Sequence, residues 1–480
     1  MHLSRSKVLF RDMYCRLTDP AIKNIAVLDM THGGVIIARK LKELGFNVTG
    51  VDVYGTLSSE QCNALEIDGI WVSEKNCSIE ETDLIISPVH LYPDHIMLHQ
   101  AEEKHVPVIS HHRAVGEIMK IKYESDHPLM IEVTGTKAKT STASLLADMI
   151  SRKLTVVLHT SRGLELWEDG MCEVIHKGLS IAPGSILDAM DIAGSLGREI
   201  DAYIFEISLG VTGYGNVGII TTLDMDYMIA GKTSMASEAK VRSLLNYSSK
   251  ALIVLNENCR KALEQLDRSL GTENITTFCI MENEESRTSD ADHFLNMHKN
   301  SFSITSGKGY IELFPADGYD ARSYITAFAA SCVTALEIDV PLENIKNTIQ
   351  QFRGLQGRMQ EMTKEDIRIL DNSNSGMDIV SVEKALDLSL KRKRKVIMVL
   401  GEEAAQVCEG LPPEGVADLI SRRLADMEEL ILVGERMKPL ATGNIHYAES
   451  LDMGRMWAMG IARKKRADEV TVALCVKCFR

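Results

Sequence analysis

The sequence predicts an α/β protein of three domains, each with a mainly parallel sheet flanked by helices. Short apolar runs typical of buried strands alternate along the chain with patterns of helical period, which favours parallel sheets. The 480 residues match three domains of about 150 residues each. Hydrophobic residues make up 45% and charged residues 25%, enough for ordinary globular cores. We expect the domains to span residues 1–122, 123–357 and 358–480.

Composition excludes several classes of partner. The net charge of −14 argues against non-specific nucleic-acid binding, which needs a basic surface. Apolar runs stay well below the roughly 20 residues of a membrane span, and the N-terminus lacks the core of a signal peptide. The ten cysteines are scattered, and the single C-x-x-C pair, Cys475 and Cys478, cannot complete a four-cysteine zinc site. We therefore expect a cytoplasmic protein that binds neither nucleic acid nor membrane.

The first segment opens with a β-α-β pattern. A strand over residues 25–28 ends at Asp29, a Thr-His-Gly-Gly turn follows, and a helix leads to a second strand over residues 47–52. This order indicates a Rossmann-like sheet, although its glycine fingerprint is incomplete and gives little support to a dinucleotide site. Further buried strands are expected at residues 83–88 and 106–109.

The most informative segment lies at the start of the middle domain. An apolar strand over residues 129–133 runs into a turn and then into a helix, the order of a P-loop ATPase-like domain. Backbone N–H groups of such a turn bind phosphate, a lysine reaches the terminal phosphates, and a hydroxyl holds Mg²⁺. The residues expected to bind a nucleotide here are Gly135, Thr136, Lys137, Ala138, Lys139, Thr140 and Ser141. The alternative is an ordinary strand–turn–helix corner with a surface lysine.

The general phosphate-binding motif fails here at two positions, because Val133 and Ala138 stand where it has glycines. Ala138 stands where a glycine precedes the lysine in the general motif. Alanine is acceptable there if its φ angle is negative, and is strained by about 1–2 kcal/mol if the turn needs a left-handed residue.

Later strands carry a second candidate ligand. Glu206 leaves the end of an apolar strand about 65 residues after the loop, and carboxylate oxygens are ligands that Mg²⁺ prefers. A carboxylate solvated at a strand end is the alternative. Residues 282–307 are polar and predict a loop or insertion, and the last domain is expected to use strands at 367–370, 396–400 and 430–433.

Several of these motifs, in order, resemble the Mur ligase family. The loop matches the family's ATP loop except at Ala138, and Glu206-Ile-Ser-Leu resembles its Glu-Val/Ile-Ser-Ser. Gly354-Leu-Gln-Gly-Arg358 resembles the family's Gly-X-X-Gly-Arg, and the stretch from Asp371 to Asn374 resembles the segment that grips ribose. The resemblance covers residues 25–440 and implies an ATP-dependent ligase that converts a carboxylate into an acyl phosphate.

The resemblance also implies roles for single residues. Lys139, Glu206, Lys240 and Arg358 would act in catalysis, with Asp371 and Asn374 also binding ATP and with Thr140, Glu206 and Asp226 holding Mg²⁺. Tyr227 stands where the family has a metal-binding histidine, so a second metal through that side chain is not expected and Asp226 is its substitute. Lys240 matches a lysine that the family can carbamylate, and a solvent-facing helix lysine is the alternative.

The substrate is less well specified. The altered loop, Tyr227 and a histidine-rich first domain look most like the Mur-like enzymes that close the last carbocycle of a nickel tetrapyrrole. That likeness implies a nickel-tetrapyrrole substrate and a monomer or homodimer. His32, His90, His95 and His111 are candidate substrate ligands, with ordinary surface histidines as the alternative. An amide-forming ligase, a folate-type glutamate ligase and a non-catalytic Mur-like binding protein remain open, because no residue pattern identifies a carbon nucleophile.

Overall fold

The structure is a computed structural model. It describes residues 16–123, 128–266, 268–281, 290–307, 309–392, 395–403, 410–465 and 469–478. These form two compact units. The first contains the described residues up to Leu313 together with Thr326–Thr348, and the second contains Phe314–Ile325 together with the described residues from Ile349 onwards.

The first sheet of the first unit is entirely parallel, with the order β3-β2-β1-β4-β5. Its strands are β1 (Asn24–Leu28), β2 (Asn47–Asp52), β3 (Trp71–Glu74), β4 (Leu84–Ser87) and β5 (Val108–Ser110). Its helices are α1 (Val35–Glu43), α2 (Ser59–Ile67), α3 (Ile96–Lys104) and α4 (His111–Lys122). Chain order reverses between β1 and β4, so the carboxyl ends of these two strands border the crevice where ligands bind in such folds.

Alternate residues of β1 face opposite layers. Ile25 and Val27 pack in a core that also contains residues of α1 and α4, whereas Ala26 and Leu28 pack with residues of α3. The first of these cores continues into the second sheet, because Phe205 and other central residues belong to the same cluster. A shared core explains why the first two sheets form one unit.

The second sheet has eleven strands in the order β18-β17-β16-β15-β14-β11-β6-β10-β7-β8-β9. Its strands are β6 (Leu129–Thr134), β7 (Val156–Thr160), β8 (Gly163–Glu168), β9 (Met171–His176), β10 (Ala202–Glu206), β11 (Val217–Ile220), β14 (Leu252–Asn256), β15 (Ile275–Met281), β16 (His293–Met297), β17 (Phe302–Ser306) and β18 (Gly309–Leu313). The centre is parallel, and both edges end in antiparallel strands.

Helices and one small hairpin accompany this sheet. The helices are α5 (Lys139–Ser151), α6 (Ser185–Gly194), α7 (Ala236–Ser243), α8 (Arg260–Glu264), α9 (Ile325–Glu337) and α10 (Leu342–Gln351). The hairpin pairs β12 (Met228–Ile229) with β13 (Ser234–Met235) and leads directly into α7.

The second unit contains a six-stranded sheet in the order β19-β20-β24-β21-β22-β23, parallel except for the β19–β20 pair. Its strands are β19 (Gln360–Lys364), β20 (Ile367–Asp371), β21 (Lys395–Glu402), β22 (Glu429–Val433), β23 (His446–Ala448) and β24 (Val470–Lys477). Its helices are α11 (Ile379–Arg392), α12 (Pro413–Arg423) and α13 (Leu451–Lys464), which flank the sheet over two separate apolar cores.

The predicted fold class, α/β with mainly parallel sheets flanked by helices, is confirmed. For residues 282–307, predicted as a loop or insertion, the loop alternative is wrong at 293–297 and 302–306, where β16 and β17 form an antiparallel hairpin. The weak alternation of apolar residues in this hairpin concealed it; residues 282–289 lie outside the described part of the chain. Among the described helices, none combines the length and apolar character needed to span a membrane.

Candidate active site

The turn between β6 and α5 has the backbone of a phosphate-binding loop. Gly135 has a φ angle of +145°, and a Cβ there would lie 2.1 Å from Thr221 Oγ1, so only glycine fits. The backbone N–H of Thr136 donates to Thr222 O at 2.9 Å, which ties the loop to the residues after β11. Lys139, the first residue of α5, donates from Nζ to Gly135 O at 3.1 Å.

Ala138 is the strained member of this loop. It has φ +65° and ψ −1°, the left-handed conformation, and directly precedes α5. An L-residue in this conformation is less stable than in the right-handed region by about 1–2 kcal/mol. Of the two backbone geometries considered from the sequence, the structure adopts the strained one.

Two of the predicted magnesium ligands meet in this structure. Thr140 Oγ1 donates to Glu206 Oε2 at 2.7 Å, and both side chains are buried. The backbone N–H of Ser161, just after β7, donates to the same oxygen at 3.1 Å. A hydroxyl from the start of α5 and a carboxylate from the end of β10 form a hard oxygen donor set, which fits Mg²⁺.

The Glu206–Gly210 motif is held between two helices. His112 Nε2, on α4, lies 2.8 Å from Ser208 O, and Ser243 Oγ, on α7, accepts from the N–H of Val211 at 2.9 Å. A Cβ on Gly210 would lie 2.8 Å from Ser243, so glycine allows this close approach. The motif therefore connects the Glu206 carboxylate to both α4 and α7.

The candidate residues on and before α7 occupy distinct positions. Lys240 is 1% exposed, and its Nζ lies 5.1 Å from the centre of the Tyr227 ring, a cation–π distance. The alternative of a solvent-facing lysine is therefore wrong. Asp226 Oδ1 accepts from the N–H of Ser237 at 3.0 Å in the first turn of α7. The same oxygen also accepts from the N–H of Tyr227 at 2.9 Å, so Asp226 is hydrogen-bonded to backbone groups around the start of α7.

The second unit brings its own predicted residues together. Asp371 is buried at the end of β20. Its partner in the antiparallel ladder with β19 is Gln360, which lies two residues after Arg358. Asn374 Nδ2 donates to Gly357 O at 2.7 Å, and the Tyr324 hydroxyl donates to Arg358 O. These contacts fix the backbone of the turn that carries the arginine.

Three of the four candidate substrate histidines gather at the crevice of the first sheet. His32 Nδ1 lies 2.9 Å and His90 Nε2 3.2 Å from Asp29 Oδ2, whereas His111 Nε2 lies 2.8 Å from Leu28 O. Burial raises the pKa of Asp29, but the imidazoles of His32 and His90 outweigh it and hold that pKa well below its usual range. His95 lies elsewhere: its Nδ1 accepts from Met97 N–H at the start of α3.

Sequence reasoning missed four contributors to these sites. Asp29 directly follows a predicted strand, a signal that could have identified it, and Ser161 directly follows the observed strand β7. His112 stands beside the candidate His111 in the histidine-rich first domain, a signal that could have included it, whereas Tyr54, whose ring lies 5.7 Å from that of His32, carried no comparable signal. Burial, together with the neighbouring His111, His90 and Lys240, lowers the pKa of His112 to about 4. His112 thus lies between the histidine cluster and α7.

Comparison with solved structures defines the class of fold. The structure is similar to the MurF ligase of Thermotoga maritima, solved in complex with ADP, with a TM-score of 0.54 and 12% sequence identity over 90% of this chain and 92% of that one. The fold is therefore that of the Mur ligases.

Sequence comparison identifies the family. Residues 361–478 match the family model "Coenzyme F430 synthetase CfbE, C-terminal domain". The chain is 45% identical to the coenzyme F(430) synthetase of Methanosarcina acetivorans over 95% of this chain and 99% of the relative. It is 24% identical to that of Methanocaldococcus jannaschii over 90% and 95%. The chain belongs to the coenzyme F(430) synthetase family and is a ligase.

Proposed function

We propose that this ligase activates a side-chain carboxylate of a ring-open nickel tetrapyrrole with ATP and closes the final carbocycle through a carbon–carbon bond. Family membership supports the coenzyme product. The observation that carries the ATP chemistry is the placement of Lys139 on a phosphate-binding turn beside the buried Thr140–Glu206 pair. The three-domain division at residues 122 and 357 is part of the same proposal.

The first step must bring two anions together. A carboxylate and a γ-phosphate repel, so the site has to neutralise charge where the phosphoryl group moves. Lys139 supplies one cation, and Thr140 and Glu206 would hold Mg²⁺, which screens the phosphate oxygens when bound. Within the same proposal, Arg358 binds phosphate, Asp371 binds ribose, and Asn374 holds the arginine turn.

The second step forms the ring. A carbon of the same molecule attacks the carbonyl carbon of the acyl phosphate. The bond between this carbonyl carbon and the phosphate oxygen then breaks, and phosphate leaves. The attacking carbon loses its proton, so the sum is ADP, phosphate and a product one water lighter than the acid. Enforced proximity favours this intramolecular attack. Lys240 is buried beside Tyr227. In this proposal the positive charge of Lys240 assists the reaction.

The test is a reaction without amino acids. The protein is incubated with ATP, Mg²⁺ and the ring-open nickel-tetrapyrrole acid, and ADP and product mass are measured. ADP formation with loss of one water supports the cyclo-ligase. ADP formation only after addition of an amino acid would contradict it in favour of an amide ligase, and no turnover at all would favour a binding protein.

A matched pair of variants tests the loop. Lys139→Ala should abolish ADP formation, because several kcal/mol of phosphate stabilisation are lost. Lys153→Ala, which removes an exposed lysine just after α5, should leave it unchanged. Equal rates in the two variants would refute the assignment of the loop.

A further inference from the structure

Asp29, His32 and His90 converge at the carboxyl ends of two adjacent strands. Asp29 directly follows β1, and His90 follows β4, its neighbour across the switch point. One ligand-type atom from each residue lies within 4.8 Å of the other two. The Mur-type chemistry proposed above, which uses the second sheet, does not require this cluster.

We infer that Asp29 Oδ2, His32 Nδ1 and His90 Nε2 form a site for a divalent transition-metal ion. Two nitrogens and one oxygen bound tetrahedrally to Zn²⁺ at about 2.0–2.1 Å would lie about 3.3 Å apart. The observed separations from Asp29 Oδ2 are 2.9 Å to His32 Nδ1 and 3.2 Å to His90 Nε2. The cluster therefore has the dimensions of a coordination site.

The two oxygens of Asp29 have different surroundings. Oδ1 accepts from the backbone N–H groups of Thr31 at 2.9 Å and His32 at 3.2 Å, which fixes the plane of the carboxylate. Oδ2 points at the two imidazoles. One oxygen thus orients the group, as outer-shell hydrogen bonds orient metal ligands, and the other is directed to the proposed ion.

His90 supplies an independent observation. Its Nε2 is buried and lies near Asp29 Oδ2, yet it makes no hydrogen bond of normal geometry within the part of the chain that the structure describes. A ring nitrogen that approaches a carboxylate without such a bond fits two ligands pointing at a shared ion. The Asp29 carboxylate is itself 0% exposed, and a buried charge of this kind needs compensation.

Donor chemistry selects the class of ion. Imidazole suits Zn²⁺, Ni²⁺ and similar ions, whereas Mg²⁺ prefers oxygen donors. His111 does not join the set, because its Nε2 is engaged with Leu28 O. Three protein ligands leave a coordination position open, as in catalytic zinc sites, and that position could take a water or a carboxylate.

The experiment measures ion binding by the full chain without ATP, so it does not depend on the proposed reaction. Chelator-treated protein is dialysed against Zn²⁺ or Ni²⁺ in excess Mg²⁺, and bound metal is quantified by elemental mass spectrometry. Wild-type protein should bind one ion. Co²⁺ should give the visible absorption of a nitrogen–oxygen site.

Variants localise the ion. His90→Ala should lower affinity at least 100-fold; it is the decisive variant because His90 is partly exposed, and Asp29→Asn should do the same if it folds. His99→Ala, which removes an exposed histidine of α3, is the control and should bind as wild type. Circular dichroism of the metal-free variants establishes folding. Equal binding by the His90 and His99 variants, sulfur ligation by X-ray absorption, or no ion above the buffer blank would each overturn the inference.

Discussion

Replacing Ala138 with glycine should stabilise the protein, although glycine substitutions usually destabilise. The φ angle of +65° costs an L-residue about 1–2 kcal/mol, and glycine removes that cost. Glycine also raises the entropy of the unfolded chain, which lowers the stability by about 0.4–1 kcal/mol. The midpoints of these two ranges give an expected net gain of about 0.8 kcal/mol.

Thermal unfolding is the assay. Ala138 lies in the first unit, which has about 330 residues. At an unfolding entropy of about 2.1 cal/mol/K per residue, each kcal/mol moves its melting temperature by about 1.5 °C, so the variant should melt about 1 °C higher. Ala143→Gly is the matched control: it lies in α5, five residues later, with a buried side chain, and should lower the melting temperature. If both variants lower it equally, the strain at Ala138 does not exist and the loop geometry described above is wrong.

Three further predictions concern Lys240, the buried histidines His112 and His159, and Asn374. Lys240→Met should keep the fold, since volume is conserved, and lower ADP formation at least 100-fold, about 3 kcal/mol; unaltered turnover with normal melting would assign Lys240 a packing role. Burial lowers the pKa of His112 and His159 from 6.5 to about 4. Between these pH values the unfolded state therefore binds more protons than the folded state. The free energy of unfolding should be highest above pH 6.5 and should decrease as the pH falls toward 4. Urea midpoints measured across this range check it, and His159→Phe should flatten the dependence. Asn374→Ala removes the 2.7 Å bond to Gly357 O and should weaken ATP binding about 5–30-fold by calorimetry, whereas unchanged affinity would remove Asn374 from the nucleotide site.

The strands of the parallel sheets could be predicted because they are buried on both faces. Such strands are nearly continuous apolar runs, as in Val396–Leu400 of β21 and Ile253–Leu255 of β14. The β16–β17 hairpin was missed because antiparallel strands need only one apolar face, and their polar residues then resemble a loop.

The residues of the nucleotide turn and their partner could also be predicted from the sequence. Lys139 and Thr140 are adjacent in the chain and begin the same helix, so the turn that presents them follows from neighbouring residues. Glu206 could be predicted as their partner because parallel strands end at one edge of a sheet, and β10 is hydrogen-bonded to β6. These inferences depend on short sequence separations and on strand direction alone.

Other properties depend on distant parts of the chain. The order of β1 and β4 brings Asp29 and His90 together across 61 positions of sequence, and packing around α7 buries Lys240 against Tyr227. The left-handed Ala138 is likewise held by a loop whose partners, Thr221 and Thr222, follow a different strand. Residue type and spacing thus specify strands, helices and the nucleotide turn, since those arise from local sterics and apolar period. Burial, strain and the meeting of remote side chains arise from how the sheets are ordered and packed, and no local pattern encodes them.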